Sequence, residues 1–175
     1  MLVSSNRYNN AGQLVSSTDS LNITTSYQYM DGGRTSIVTR AGITNVTVRY
    51  NDQRTHYAEQ NGVRKQTYDY GVNSDGTQWT KVYTGPDGIA SPMWAKTTVD
   101  LLGRTVKAER PGYGGATVTT TYVYNDKGQL EKTTTTGSAD TLYAYDELGN
   151  QSRIAQDMND NGVIDLAGPD RVSET

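Results

Sequence analysis

One motif returns along this chain: an aromatic or β-branched residue, then Asp, Asn or Met, two variable residues, Gly, and a polar or basic residue. It reads Tyr8-Asn9-Asn10-Ala11-Gly12-Gln13, Tyr29-Met30-Asp31-Gly32-Gly33-Arg34, Val99-Asp100-Leu101-Leu102-Gly103-Arg104, Tyr124-Asn125-Asp126-Lys127-Gly128-Gln129 and Tyr145-Asp146-Glu147-Leu148-Gly149-Asn150. The anchor recurs from Tyr8 to Tyr29 to Tyr50 at steps of 21 residues, reaches Tyr70 after 20 more, and steps by 21 again from Tyr124 to Tyr145. Between Tyr70 and Tyr124 the steps lengthen to 29 and 25 through Val99, and the copies at Tyr50 and Tyr70 lack Gly at its usual place. A period of about 20 to 50 residues marks arrays in which each unit buries its apolar face on its neighbours.

Each unit reads as a strand, a tight turn and a return strand. Thr117-Val118-Thr119-Thr120-Thr121-Tyr122-Val123-Tyr124 consists of residues that suit a pleated, half-buried surface. Asn125-Asp126-Lys127-Gly128 follows with turn chemistry: Asn and Asp side chains bond nearby backbone, and Gly accepts positive φ without steric cost. Gln129 to Thr136 returns as the second strand. Two strands of about 6 to 8 residues and their turns fit such a period, which suits helical repeats less well.

Tyrosines stand two apart at Tyr27 and Tyr29, Tyr68 and Tyr70, Tyr122 and Tyr124, and Tyr143 and Tyr145. Positions i and i+2 of a strand share a face, so each unit places two rings on one side. Neighbouring hairpins are expected to bring these pairs into cross-strand contact, worth roughly 0.2 to 1 kcal/mol each. With 13 Tyr and no Phe in the chain, the rings read as core, and a sugar-stacking or nucleic-acid platform is the functional alternative.

The 34 % hydrophobic content is low for a globular chain, but a net charge of only -3 and the strong strand patterning argue against disorder. The expected architecture is all-β: tandem antiparallel β-hairpins in an open, twisted sheet strip with a narrow apolar face. One array spans residues 1–175, with short repeats over about 8–70, longer irregular units over about 71–115, short repeats over about 116–156 and an Asp/Asn-rich turn over 157–170. Without cysteine there are no disulfides and the redox compartment stays open. No apolar run is long enough to span a membrane, and Met1-Leu2-Val3-Ser4-Ser5 followed by Asn6 and Arg7 is not a signal peptide. A pI near 5.1 with interspersed charges offers no basic stripe for nucleic acid. The chain opens on a repeat and closes on Arg171-Val172-Ser173-Glu174-Thr175, which reads as the start of another strand and suggests a piece of a longer array.

In the middle, Asn73-Ser74-Asp75-Gly76, Gly85-Pro86-Asp87-Gly88 and Arg110-Pro111-Gly112-Tyr113-Gly114-Gly115 are turn signals. Strands are expected between them at Gln78 to Tyr83, Trp94 to Val99 and Thr105 to Glu109. Trp79 and Trp94 are expected to plug the wider spaces these longer units create, with ligand stacking as the alternative.

The repeated motif resembles the YD repeat of bacterial Rhs proteins, also found in insecticidal toxin-complex components and animal teneurins. Its typical unit is Tyr-Asp-Xaa-Xaa-Gly-Arg and then an apolar residue; Tyr145-Asp146-Glu147-Leu148-Gly149-Asn150 and Tyr124-Asn125-Asp126-Lys127-Gly128-Gln129-Leu130 stand close to it. On that resemblance the motif residues are Tyr8, Gly12, Tyr29, Gly33, Gly103, Arg104, Tyr124, Gly128, Tyr145, Asp146 and Gly149. In the family, long arrays wind as a spiralling sheet into a hollow shell around a toxic C-terminal polypeptide, or form a surface-displayed scaffold. The resemblance implies a segment of shell wall, whose partners are the rest of the shell and the enclosed C-terminal domain, in a secreted or cell-surface protein. The family's Asp-Pro-Xaa-Gly self-cleaving segment and toxin domain have no counterpart here.

Asp157-Met158-Asn159-Asp160-Asn161-Gly162-Val163-Ile164-Asp165 follows the order of an EF-hand-type calcium loop, with Asp157, Asn159, Asn161 and Asp165 as oxygen ligands and Val163 offering its carbonyl. Its twelfth position is Gly168, and the nearest carboxylate, Asp170, comes two residues late. Two readings stand, a weak calcium site and an Asx-Gly turn, and the missing carboxylate favours the turn. No other cofactor is indicated. For catalysis the chain offers one His, His56, in the polar run Arg54-Thr55-His56-Tyr57, and no Cys. Asn22-Ile23-Thr24 and Asn45-Val46-Thr47 match glycosylation acceptors, which are treated as chance. The expectation is a non-enzymatic structural segment; the alternative is an adhesin that binds a cell-surface glycan through exposed Tyr and Trp.

Overall fold

The computed structural model describes residues 4–174. The strand-forming runs fold as expected, each ending where Gly, Asn or Asp supplies a turn. Among the described residues the strands are β1 Ser5–Tyr8, β2 Leu14–Thr18, β3 Thr24–Met30, β4 Thr35–Arg40, β5 Ile43–Arg49, β6 Thr55–Gln60, β7 Val63–Val72, β8 Gln78–Thr84, β9 Trp94–Val99, β10 Thr105–Pro111, β11 Thr117–Tyr124, β12 Leu130–Thr135, β13 Asp140–Tyr145, β14 Gln151–Asp157 and β15 Arg171–Glu174. The only helical turns among the described residues are short 3-10 turns at Asp31–Gly33, Gly88–Ala90 and Tyr113–Gly115. The all-β, tandem-hairpin expectation holds. Of the three strands expected in the irregular middle, Trp94–Val99 is matched end to end, and the other two run slightly longer.

The chain forms two units, one from the chain up to Asp69 with Val82–Met93, the other from Tyr70–Lys81 with the chain from Trp94 onward. In the first, β1 to β7 pair antiparallel in sequence order. In the second, β9 to β15 do the same. Such a meander puts every odd-to-even turn on one edge of its unit and every even-to-odd turn on the other.

Burial is shallow. The buried apolar side chains among the described residues are Tyr83 in the first unit and Leu142 and Ala155 in the second. Threonine pairs supply cross-strand bonds instead, with hydroxyls at 3.0 Å for Thr39 and Thr44 and 3.0 Å for Thr120 and Thr135.

The tyrosine pairs share a face as expected, but register corrects their contacts. Tyr122 stands opposite Thr133 of β12, and Tyr143 opposite Ile154 of β14. The pair on β11 is thus separated from the pair on β13 by a whole strand, about 9 to 10 Å across two strand spacings. None of these four tyrosines makes a ring-to-ring contact among the described residues.

Candidate functional site

Six of the odd-to-even turns share one hydrogen-bonded form. In the turn from Asn125 to Gln129, Gly128 N–H donates to the Asn125 carbonyl at 2.8 Å and Asn125 N–H to the Gln129 carbonyl at 2.9 Å. The same two bonds close the turns beginning at Asn9, Tyr50, Asn73, Asp100 and Asp146. The fourth residue must take positive φ, which is why Gly occupies it in most copies; Gly128 has φ 80°. In five of the six the first residue is Asn or Asp, a residue whose side-chain oxygen can also accept backbone N–H groups: Asn125 Oδ1 takes those of Lys127 at 3.1 Å and Gln129 at 2.9 Å, and Asp100 Oδ1 those of Leu102 and Arg104 at 2.9 Å. At Asp146 such donors hold the carboxyl below its ordinary range, first the Asn150 side-chain amide, which donates to Oδ2 at 3.1 Å, then the Asn150 backbone N–H, which donates to Oδ1 at 2.8 Å. At Asp100, partial desolvation opposes the same downward shift, which Arg104 then carries.

The residue before the turn, the anchor, faces the first residue of the return strand across a one-residue bulge: Tyr8 opposite Leu14, Val99 opposite Thr105, Tyr124 opposite Leu130 and Tyr145 opposite Gln151. Anchor hydroxyls then reach the preceding hairpin. Tyr124 donates to the Thr105 carbonyl at 2.7 Å, and Tyr145 to the Leu130 carbonyl at 2.8 Å. The residue after the turn reaches the other way. Arg104 lies over the Tyr124 ring at 4.6 Å and packs where a Gly128 side chain would begin, and Gln129 Nε2 donates to the Gly149 carbonyl at 3.2 Å. In the first unit, Arg34 donates to Asn51 Oδ1 in the next motif turn at 3.0 Å.

Gly12, Gly103 and Gly149 all take the positive-φ position as expected. The copy containing Tyr29 and Gly33 turns differently, with Asp31, Gly32 and Gly33 all at positive φ and Met30 paired directly with Thr35. Two anchors differ in frame from the sequence reading. At the third copy Arg49, not Tyr50, holds the anchor slot opposite Thr55, and Gln53 takes φ 70° in place of Gly. Tyr50 begins the turn itself and sends its hydroxyl to the Tyr68 carbonyl at 3.1 Å. Tyr70 lies inside β7, and the turn that follows begins at Asn73. Tyrosine spacing hid both shifts because the turn constrains its first and fourth residues, not the anchor.

The acidic loop closes on itself. Asp157, at 2 % exposure, accepts N–H groups of Asn161 at 3.2 Å and Gly162 at 2.7 Å. Asn159 and Asn161 amides both donate to Asp165 Oδ2, at 2.9 and 2.8 Å, while Val163 N–H donates to Asn161 Oδ1 at 2.9 Å. Asp170 caps it by accepting from Met158 and Asp165, each at 3.0 Å. Among the described residues, no group of three or more His, Cys, Asp or Glu side chains is placed to hold a metal. His56 stacks on Tyr50 at 4.5 Å between ring centroids and meets Tyr57 edge-on at 5.7 Å. Trp79 fills the space above Gly71, Lys96 lies over its ring at 4.7 Å, and Lys81 over that of Trp94 at 4.0 Å.

Residues 8–44 match the family model described as RHS Repeat. No curated protein sequence matches the chain. Among solved structures, it is similar to a porin-like protein from Bacteroides uniformis at 13 % identity and a TM-score of 0.30, over 87 % of this chain and 81 % of that one. It is similar to TcdB2-TccC3-TEV at 10 % identity and a TM-score of 0.25, over 88 % of this chain and 11 % of that one. Superpositions this loose carry no weight for fold or function.

Proposed function

We propose that this chain, which carries an RHS repeat over residues 8–44, is a non-enzymatic structural segment whose hairpins form part of a wall or scaffold in a larger secreted or cell-surface protein. The observation that carries this reading is where the motif's polar groups go. The Tyr124 and Tyr145 hydroxyls and the side chains of Arg104 and Gln129 all engage a neighbouring hairpin. A recognition surface needs such groups free for a ligand; here they hold one repeat to the next. The wall's partners are the remaining repeats of the same polypeptide and a C-terminal domain that it encloses or presents.

Limited proteolysis of the intact parent protein tests the wall. Enclosure predicts a C-terminal region that resists protease until the repeats are unfolded. Equal cleavage of that region in the native protein would refute it. Glycan binding by this chain that is lost in Tyr143→Ala without a change in melting would favour the adhesin reading.

A further inference from the structure

The chain contains two Asn-Gly dipeptides, Asn61-Gly62 and Asn161-Gly162, in opposite surroundings. In such a dipeptide, no side chain on the following residue hinders attack of its backbone nitrogen on the asparagine side chain. We propose that Asn61 is a site of spontaneous deamidation in this protein and that Asn161 is guarded from it by Asp157.

The reaction needs the glycine nitrogen as a nucleophile. Gly62 sits in the two-residue turn between β6 and β7, where Gln60 pairs with Val63. It is exposed, and its N–H has no partner among the described residues. Once hydroxide removes that proton, the nitrogen attacks Asn61 Cγ, the C–N bond to the side-chain amide breaks, and ammonia leaves with a proton from water. Water then opens the five-membered imide at either carbonyl to give aspartate or isoaspartate. The net change is one water consumed and one ammonia released, with no oxidant or reductant.

At Gly162 the corresponding N–H is held by the nearly inaccessible carboxylate of Asp157 at 2.7 Å. That bond must break before hydroxide can take the proton, and an amide anion formed there would face a negative charge in direct contact. The side-chain amides of Asn61 and Asn161 are both hydrogen-bonded at each end, so the two sites differ at the glycine nitrogen.

Conversion at Asn61 has a structural consequence. Its Oδ1 accepts Thr44 N–H at 2.7 Å and its Nδ2 donates to the Gly42 carbonyl at 3.0 Å, clamping the β4–β5 turn to the β6–β7 turn. A carboxylate in its place sets two acceptors against each other at Gly42, and isoaspartate also lengthens the turn backbone. Modification would therefore loosen these two hairpins and add a negative charge.

The test is incubation of the full chain at mildly alkaline pH, followed by peptide mapping with mass spectrometry that separates aspartate from isoaspartate. The expected result is amide-to-acid conversion at Asn61 while the Asn161 peptide stays unmodified, with loss of hydrogen-exchange protection at the Thr44 amide. In urea, where the geometry is gone, the two sites should convert at similar rates. Asp157→Ala should open Asn161 to conversion without changing Asn61. Conversion of Asn161 as fast as Asn61 in the folded chain, or an Asn61 that survives folded incubation as well as Asn161 does, would overturn the proposal.

Discussion

The Tyr124 hydroxyl donates to the Thr105 carbonyl at 2.7 Å, so the anchor of one hairpin holds the residue that faces the anchor of the hairpin before it. Tyr124→Phe removes that bond alone and should destabilise the chain by about 0.5 to 1.5 kcal/mol. Tyr124→Ala should cost about 2 kcal/mol, below the range for fully buried aromatics because the ring is only half-buried. Urea denaturation of the two variants measures both values.

At the fourth turn position, the backbone demands positive φ whatever the residue. Gln53 meets that demand at φ 70° as a non-glycine. Gln53→Gly should therefore stabilise by up to about 1 kcal/mol, the left-handed penalty less the entropy glycine loses on folding. Gly128→Ala should destabilise by about 1 to 2 kcal/mol, since its methyl would also meet the Arg104 guanidinium. Thermal melts of the two variants should shift in opposite directions.

The strand Thr117–Tyr124 and the turn after it were legible because residue type and backbone demand coincide there. The left-handed Gln53 was not, since nothing in a glutamine announces positive φ. Nor were the bonds from Tyr124 to Thr105 and from Tyr145 to Leu130: alternation gives the face a ring occupies, but its reach depends on which strand lies beside it. Shared face was readable at the tyrosine pairs, whereas their contact was not, because β12 and its Thr133 come between.

Gly71 lies under Trp79, and a methyl there would collide with the indole. Gly71→Ala should displace the ring and cost about 1 to 3 kcal/mol by overpacking. A change in tryptophan fluorescence should accompany the loss, and an unchanged spectrum with unchanged stability would count against this packing.

Acid should weaken the second unit. The Asp140 carboxyl is held below its ordinary value of 3.8, first by its bond to Lys132 against opposing burial, then by Thr134. Lys132 is raised above 10.5, first by the same bond. For the lowered carboxyl, the stabilisation is complete above 3.8 and is lost as pH falls through the lower folded value. For the raised ammonium, it is complete below 10.5 and is lost as pH rises through the higher one. The melting temperature should thus hold through the neutral range and drop on acidification below about pH 4. Lys132→Met leaves Asp140 opposite Asp157 without its cation and should cost about 1 to 2 kcal/mol, a buried-pair value discounted for the exposed lysine.

Calcium should bind the 157–165 loop weakly or not at all, because Asn159 and Asn161 already donate to Asp165 and no carboxylate stands at the twelfth position. Isothermal titration should show no heat below millimolar calcium. A micromolar constant abolished in the Asp157→Ala, Asp165→Ala variant would show the loop to be a metal site.

The claim that motif residues exist to join one hairpin to the next is tested most directly by a double-mutant cycle between Arg104 and Tyr124, which stack across successive hairpins at 4.6 Å. Arg104→Ala, Tyr124→Leu and the double variant, unfolded in urea, should give a coupling energy of about 0.5 to 1 kcal/mol. Strictly additive losses at these two positions would contradict it.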